Sequence, residues 1–420
     1  MEKIIVVECL SSSMSYIYDI RQEGYEPVIL ETYNNIIRRK SNYTYMDKPL
    51  PRIINALPNY EDTLNLVRKE NPKLILAGCE QSVELATLLA NDLGLMFNPK
   101  SHLPYVLDKH KMQIACKEAG LRYIEGKMVS SEDEAVDFFN KCKKGAVLKP
   151  KHGASSFNVC VCSKECEVRE AFNKIKGCKN LEGDVNEEVI IQERIVGPEY
   201  IVNTITRDNE TYVSSMYIYS KKHIPGAANI YDLHETITHD EINNKIKEMM
   251  DYAIKTTKAV GVKYGPVHGE FMIDEDGPVL IEVNCRICGA DMPRKFLDQA
   301  FGHHETNLSL DSYLHPEKFK KRMSMDYFTP GKGYLKTLII KDEIDILDAP
   351  ICRTAKELPT FFMLKDIDEK CPMHLVKTID LSTTGGKIFF VSDDSEQVTK
   401  DCKEICRLEE EEYDKLYTID

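Results

Sequence analysis

The residues of this 420-residue chain best suited to chemistry fall in one short stretch, 268–286. His268-Gly-Glu270-Phe-Met-Ile-Asp274 alternates as a strand does, and Pro278-Val-Leu-Ile-Glu282-Val-Asn284 reads as the next one. The turn Glu275-Asp276-Gly277 joins them. A hairpin symmetric about Asp276 sets Glu270 opposite Glu282 and His268 opposite Asn284. Its other side then carries Phe271, Ile273, Val279, Ile281 and Val283, an apolar face fit for a core. Carboxylates opposed in this way lie about 4.5–5.5 Å apart at Cβ and repel unless something positive sits between them. A hard divalent cation suits that gap, with carboxylate oxygens and the Asn284 amide as ligands. A solvated hairpin edge would show the same acids, but Asn284-Cys-Arg286 adds an oxygen ligand and a cation beside them. That set suits a phosphate-bearing substrate bridged by metal.

Two lysines lie upstream where a nucleotide would use them. Lys109 follows Asp108 at the start of a helix, and Lys149 ends the apolar run Ala146-Val147-Leu148. A strand-terminal lysine points off its sheet and suits an α- or β-phosphate, although either lysine alone also fits an ordinary solvated surface. The turn 152–156, with Ser155 and Ser156, offers backbone N–H groups and hydroxyls to phosphates. Gln192-Glu193-Arg194-Ile195 closes another strand, where backbone groups can pair with adenine and Gln192 can reach its exocyclic amine. Glu199, after Gly197-Pro198, is spaced to accept from ribose hydroxyls. Each signal is weak singly, and their order carries the information: lysine, lysine, serine turn, hinge, acid, paired-acid hairpin.

The elements that must position these residues divide into four parts. Strands at 4–7, 28–30 and 74–77 alternate with helices, the last over 82–93, which predicts a doubly wound parallel sheet. The loop after the first strand, 8–13, has no glycine fingerprint, so no nucleotide site is expected in this first part. A helix over 108–120 ends at a glycine stop, and Ser131 with Glu134 forms a capping-box pattern that opens a helix to about residue 141. Strands at 146–149, 159–162 and 189–192, with a helix over 163–176, complete a small α+β unit. Strands at 200–205, 212–219, 267–274 and 278–284, interrupted by a helix over 240–260, predict a largely antiparallel sheet backed by helices. Beyond 326 come strands at 334–340 and 387–391, a helix over 395–407 and an acidic run, 409–412, expected to be a solvated helix face. The expected domains are 1–108, 109–196, 197–325 and 326–420.

A net charge of −13 argues against non-specific nucleic-acid binding, which needs a basic surface, but not against a local lysine site for ATP. The first apolar run is too short for a signal peptide and no stretch approaches a membrane span, so a cytoplasmic location is expected. Fourteen cysteines fit reduced core thiols. Cys160, Cys162 and Cys166, and the pair Cys285 and Cys288, lack a second ligand pair at zinc spacing.

From about residue 108 to 301 the sequence resembles the ATP-grasp superfamily, and within it the bacterial L-amino-acid ligases that make dipeptides. The resemblance is carried by Asp108-Lys109-His-Lys111-Met112, Leu148-Lys149-Pro150, Ala154-Ser155-Ser156, His268-x-Glu270 and Ile281-Glu282-x-x-x-Arg286, with Gly289 and Pro293 continuing it. It implies an α/β and α+β architecture: a parallel-sheet N-terminal domain, a small lid and a large antiparallel catalytic domain. It assigns Lys109, Lys149, Ser155 and Ser156 to the ATP phosphates, Gln192, Glu193 and Ile195 to the adenine hinge, and Glu199 to the ribose. Glu270 and Glu282, with Asn284, fall on the ligands of two magnesium ions, for which manganese is a substitute. Arg286 and Lys149 match residues that steady an acyl phosphate and the transition state. His234, His268, Gly289 and Ala290 fall on the substrate pocket, and Ala290 is small where a bulkier residue is expected.

Asn284 follows the wider Glu-x-Asn pattern that some dipeptide ligases lack, and the serine-rich turn replaces the glycine-rich loop of many relatives. The implied activity is ATP-dependent carboxylate–amine ligation through an acyl phosphate, joining amino acids and releasing ADP and phosphate, in a cytoplasmic homodimer without membrane or nucleic-acid partners. Two rivals remain: a carboxylase of the biotin-carboxylase type, for which the chain lacks a lysine–histidine run after the hairpin, and a non-catalytic ATP-binding module. Against the latter stand the intact Lys109, Lys149, Glu270, Glu282 and Arg286.

Overall fold

The computed structural model describes residues 1–32, 50–151, 158–179, 185–223, 229–367, 372–380 and 383–419. Strands β1 (Lys3–Val7), β2 (Glu26–Glu31), β3 (Arg52–Asn55) and β4 (Pro72–Ala77) form a parallel sheet in the order β3-β2-β1-β4. Ile4 to Val7 are fully buried, as continuous apolar runs in a parallel sheet covered on both faces must be. Helices Ser15–Gln22, Tyr60–Glu70 and Val83–Asp92 pack alongside. The short run of β3 gave no sequence signal.

Four strands, β5 (Gly126–Val129), β6 (Ala146–Pro150), β7 (Cys160–Cys162) and β8 (Val189–Glu193), make an antiparallel sheet in the order β5-β8-β6-β7. Helices Glu132–Phe139 and Glu165–Ile175 cover it through a core that includes Val129, Leu148, Phe172 and Ile191. The Ser131 cap forms as expected, its hydroxyl accepting the Glu134 N–H at 3.3 Å. The helix Lys109–Glu118, assigned above to this unit, packs elsewhere. Its apolar residues Met112, Ala115 and Cys116 join the core of the N-terminal and central parts, and Gln113 Nε2 donates to Leu280 O at 2.9 Å.

Eight antiparallel strands form the central sheet: β9 (Glu199–Arg207), β10 (Glu210–His223), β11 (Asn229–Thr236), β12 (Tyr264–Asp274), β13 (Gly277–Asn284), β14 (Lys332–Thr337), β16 (Phe361–Lys365) and β18 (Lys387–Ser392). Their order is β13-β12-β9-β10-β11-β14-β18-β16. Strand β11 was not anticipated from its mixed run Asn-Ile-Tyr-Asp-Leu-His-Glu-Thr. It pairs His234 with Leu335 of β14, so the sheet continues through the expected boundary at residue 326 instead of ending there. Strands β15 (Ile344–Asp348), β17 (Met373–Leu375) and β19 (Thr418–Ile419) form a separate small sheet at the C-terminal end.

In the acidic run 409–412, Glu410 and Glu411 are exposed as expected, but Glu409 is not. The last helix extends over Ser395–Glu411, and Glu409 falls on its inner face. Glu409 is buried and accepts from Lys336 Nζ at 2.6 Å, Lys222 Nζ at 3.0 Å and the Ile339 N–H at 2.9 Å. Among the described residues no helix is long and apolar enough to cross a membrane.

Candidate active site

Strands β12 and β13 place the two acids as their alternation predicts: Glu270 pairs with Glu282 and His268 with Asn284. The route to that register differs. Asp274 pairs with Gly277, so the turn holds two residues, and a bulge between Glu270 and Phe271 takes up the remaining one. Leu280 therefore joins the core beside Phe271, Ile273 and Val283, whereas Ile281, expected in that core, lines the cavity.

A cavity of about 1020 Å³ lies between the β5-β8-β6-β7 sheet and the central sheet. It collects Lys109, Lys149, Gln192, Glu193, Ile195 and Glu199 with the hairpin residues Glu270, Glu282 and Asn284. Arg286, Gly289, Ala290, His234 and His268 complete the set, so every expected site residue among those described lines one space. Ser155 and Ser156 lie outside the described residues.

The lysines meet the acids from different sides. Asp108 caps its helix by accepting the His110 and Lys111 N–H groups, which holds Lys109 at the first turn. Lys109 Nζ stands 3.1 Å from Glu282 Oε1. Burial opposes its charge, but Glu282 and Glu80 outweigh that and raise its pKa. Lys149, at the cavity end of β6, makes no ion pair among the described residues. Burial, helped by Lys109, lowers its pKa to about 8. Burial likewise opposes a charge on Glu270, yet the His268 hydrogen bond and charge, with Lys221 and Arg286, pull its pKa down to about 2.

The hinge is partly committed. The Glu193 N–H donates to Glu125 O at 2.9 Å and the Arg194 N–H to Gly145 O at 3.0 Å. The Glu193 carboxylate accepts the Glu125 N–H at 3.2 Å and so serves the lid as well as the cavity wall. Gln192 Nε2 and Glu199 Oε1, by contrast, are buried with no hydrogen-bond partner among the described residues. Glu199 Oε2 accepts from Lys221 Nζ at 2.7 Å. Gly197 lies against β12, where an added Cβ would meet Ile273 O at 2.0 Å, which explains a glycine there.

His234 pairs with Tyr219 across β10 and β11 and stacks on it, with ring centroids 4.1 Å apart. Both its ring nitrogens lack a partner among the described residues, and burial lowers its pKa to about 3. Ala290 and Asp291 both hold positive φ, 63° and 61°, a strained pair in the loop that carries Arg286. Gly289 O in that loop accepts from Ser12 Oγ at 2.7 Å.

Sequence reasoning missed Glu80. It follows β4 in the N-terminal part, where no nucleotide site was expected, yet it lines the cavity 3.8 Å from Arg286 Nη2. Burial, together with Glu282, raises its pKa to about 7. The available signal was its place past the carboxyl end of a parallel strand, where ligands gather in open α/β sheets. Lys221, Tyr231 and Lys387 also line the cavity, and no motif marks them.

Residues 142–293 match the ATP-grasp domain. Dapdiamide A synthase of Enterobacter agglomerans is 28% identical over 264 residues, which cover 62% of this chain and 61% of that protein. Phosphoribosylamine–glycine ligase of Methanopyrus kandleri is 28% identical over 170 residues, covering 37% of each. The chain thus spans less than two thirds of the length of these curated relatives. Among solved structures, the L-amino acid ligase from Bacillus licheniformis shares the fold with a TM-score of 0.75 at 14% identity, covering 100% of this chain and 98% of that one. The biotin carboxylase domain of the Hydrogenobacter thermophilus 2-oxoglutarate carboxylase, solved with MgADP and bicarbonate, gives 0.69 at 14% identity over 100% and 90%.

Proposed function

We propose that this chain, which carries an ATP-grasp domain and takes the ATP-grasp fold, is an ATP-dependent carboxylate–amine ligase that joins amino acids. The observation that supports this most is the half-buried, directly opposed pair Glu270 and Glu282, set among Lys109, Lys149 and Arg286 in one large cavity.

The donor set fits divalent metal. Opposed carboxylates repel when nothing positive lies between them, and here Lys109 and His268 each face one acid, at 3.1 Å and 3.4 Å. Glu270, Glu282 and Asn284 would hold two magnesium ions, for which manganese is a substitute. Magnesium supplies charge neutralisation across the β- and γ-phosphates when bound there.

The chain's own residues do the rest. Gln192 and the backbone near Ile195 orient adenine, since the preceding N–H groups are taken, and Glu199 accepts from the ribose. Lys109 and Lys149 bind the phosphates, together with Ser155 and Ser156. The substrate carboxylate attacks the γ-phosphorus of ATP, ADP leaves, and Arg286 and Lys149 stabilise the charge that develops. The lid excludes water from the acyl phosphate. The amine of the second substrate then displaces phosphate, and Glu80, with a pKa near neutrality, takes its proton. His234, His268, Gly289 and Ala290 form the substrate wall. The cavity is at the upper end of the roughly 300–1,000 Å³ typical of ligand sites, which leaves room beside the nucleotide for two small substrates. The enzyme works in the cytoplasm as a homodimer.

A phosphate-release screen over pairs of amino acids tests this reading. Release that requires two amino acids, with an amide product of matching mass, supports it. Silence with every pair would leave a nucleotide-binding module.

A further inference from the structure

Behind the paired acids lies a carboxylate that no motif marks. Glu305 opens helix Glu305–Leu314, is 6% exposed, and stands outside the cavity lining. Its Oε1 accepts from Asn203 Nδ2 at 2.6 Å and from Ser215 Oγ at 2.9 Å. Its Oε2 accepts the backbone N–H of Cys288 at 2.6 Å.

A carboxylate offers acceptors only, so Asn203 must turn its NH₂ group toward Glu305 and its Oδ1 away. That Oδ1 lies 2.8 Å from His268 Nδ1, which therefore donates to it. The other ring nitrogen, Nε2, then faces Glu270 Oε1 at 3.4 Å. One oxygen of Glu305 thus orients the ring beside a metal-binding acid. The other fixes the backbone two residues after Arg286. These two pieces belong to different segments, β12 and the loop that follows β13, and Glu305 is bonded toward both.

We propose that Glu305 is a positioning residue that holds the metal-binding face of β12 and the Arg286 loop in one mutual geometry, so that the cation and Arg286 meet the same phosphate. This rests on the ligase reading only as far as nucleotide-bound metal at Glu270 and Glu282. Glutamine is nearly isosteric, but one of its two arms donates. It must face either the Cys288 N–H or the donors of Asn203 and Ser215, so one anchor breaks while the volume stays. Partners of this kind behind a metal ligand are typically worth about 10–100-fold in metal affinity or activity.

The test is calorimetric titration of ADP into the full chain with and without Mg²⁺. In the wild-type protein magnesium should tighten ADP binding. Glu305→Gln should keep its metal-free ADP affinity and lose roughly tenfold or more of the magnesium-dependent gain. Asn203→Ala breaks the relay on the β12 side alone and should lose part of the same gain, and the double variant should lose no more than Glu305→Gln. Should Glu305→Gln fail to fold, Asn203→Ala decides the question. Wild-type protein without any magnesium gain would sink the metal assignment and this proposal together. A wild-type gain that the variants keep in full, or variants that weaken both affinities equally, would overturn the positioning role alone.

Discussion

Two clusters of lysine and carboxylate lie on opposite faces of the central sheet, and they are wired in opposite ways. In one, Lys336 is fully buried and bonded to Asp232, to Glu409 and to Thr337 O, with Lys222 closing the ring onto both acids. Burial opposes the Lys336 charge, yet Glu409 and Asp232 hold its pKa above the usual value. In the other, across the sheet, Glu270 and Glu282 face each other while the buried Lys149 has a lowered pKa and no ion-pair partner among the described residues. The first cluster satisfies itself and fastens the last helix to β14. On the proposed reading the second is complementary to a ligand, a polyphosphate with its cations. Charges matched to one another make structure, and charges matched to a ligand make a site.

Substitutions should therefore act oppositely in the two clusters. Glu282→Ala is expected to lower turnover by on the order of 10³-fold with only a small change in the thermal midpoint, because it relieves the repulsion with Glu270 but also unpairs Lys109. Parallel ADP-release assays and thermal melts would show this; full turnover would remove Glu282 from the site. Lys336→Met should do the reverse. It leaves Asp232 and Glu409 with only the more exposed Lys222 between them and should cost up to about 3–5 kcal/mol in denaturant unfolding, with ADP affinity per folded molecule unchanged.

Lys149→Met sharpens the contrast at a smaller scale. It should weaken ADP binding by roughly tenfold, in line with about 1.5–3 kcal/mol for hydrogen bonds to charged groups, yet raise the stability of the ligand-free protein. The sign follows from linkage. Lys149 titrates at about 8 in the folded chain against 10.5 ordinarily, so the folded state binds fewer protons between those values and gains stability as pH rises through that window. Phosphates restore the charge, so ADP affinity should fall over the same window, and both trends should vanish in Lys149→Met.

Glu80→Gln should change stability only at the higher pH. The folded pKa is raised to about 7 from 4.5, so the carboxyl weakens the fold as pH rises through that interval. The glutamine variant should be more stable than wild type by at most about 3 kcal/mol at pH 8 and equal to it near pH 4, checked by melts at both values.

The same contrast explains what the sequence made legible. The paired acids could be read because period-2 alternation groups 268 with 270 and 282 with 284, and the bulge restored the facing that the two-residue turn alone would have shifted by one, while moving Ile281 to the cavity. The helix cap at Asp108 and the end of β6 likewise located Lys109 and Lys149 from local rules. Glu80, Glu305 and the Lys336–Glu409 pair depend on which distant elements pack together, with sequence separations of 73 residues for Lys336–Glu409 and 102 for Asn203–Glu305, and no local pattern encodes that. Glu409 was misread for the same reason: an acidic run at the end of a helix looks solvated until its buried lysine partner is placed.

The central claim is that the open cluster is a cation site for a nucleotide. Crystals grown with ADP and Mn²⁺, measured for anomalous scattering, test it most directly. The account predicts a manganese peak between Glu270 and Glu282 with the nucleotide phosphates beside it; ADP bound in the cavity with no metal peak at these two carboxylates would contradict it.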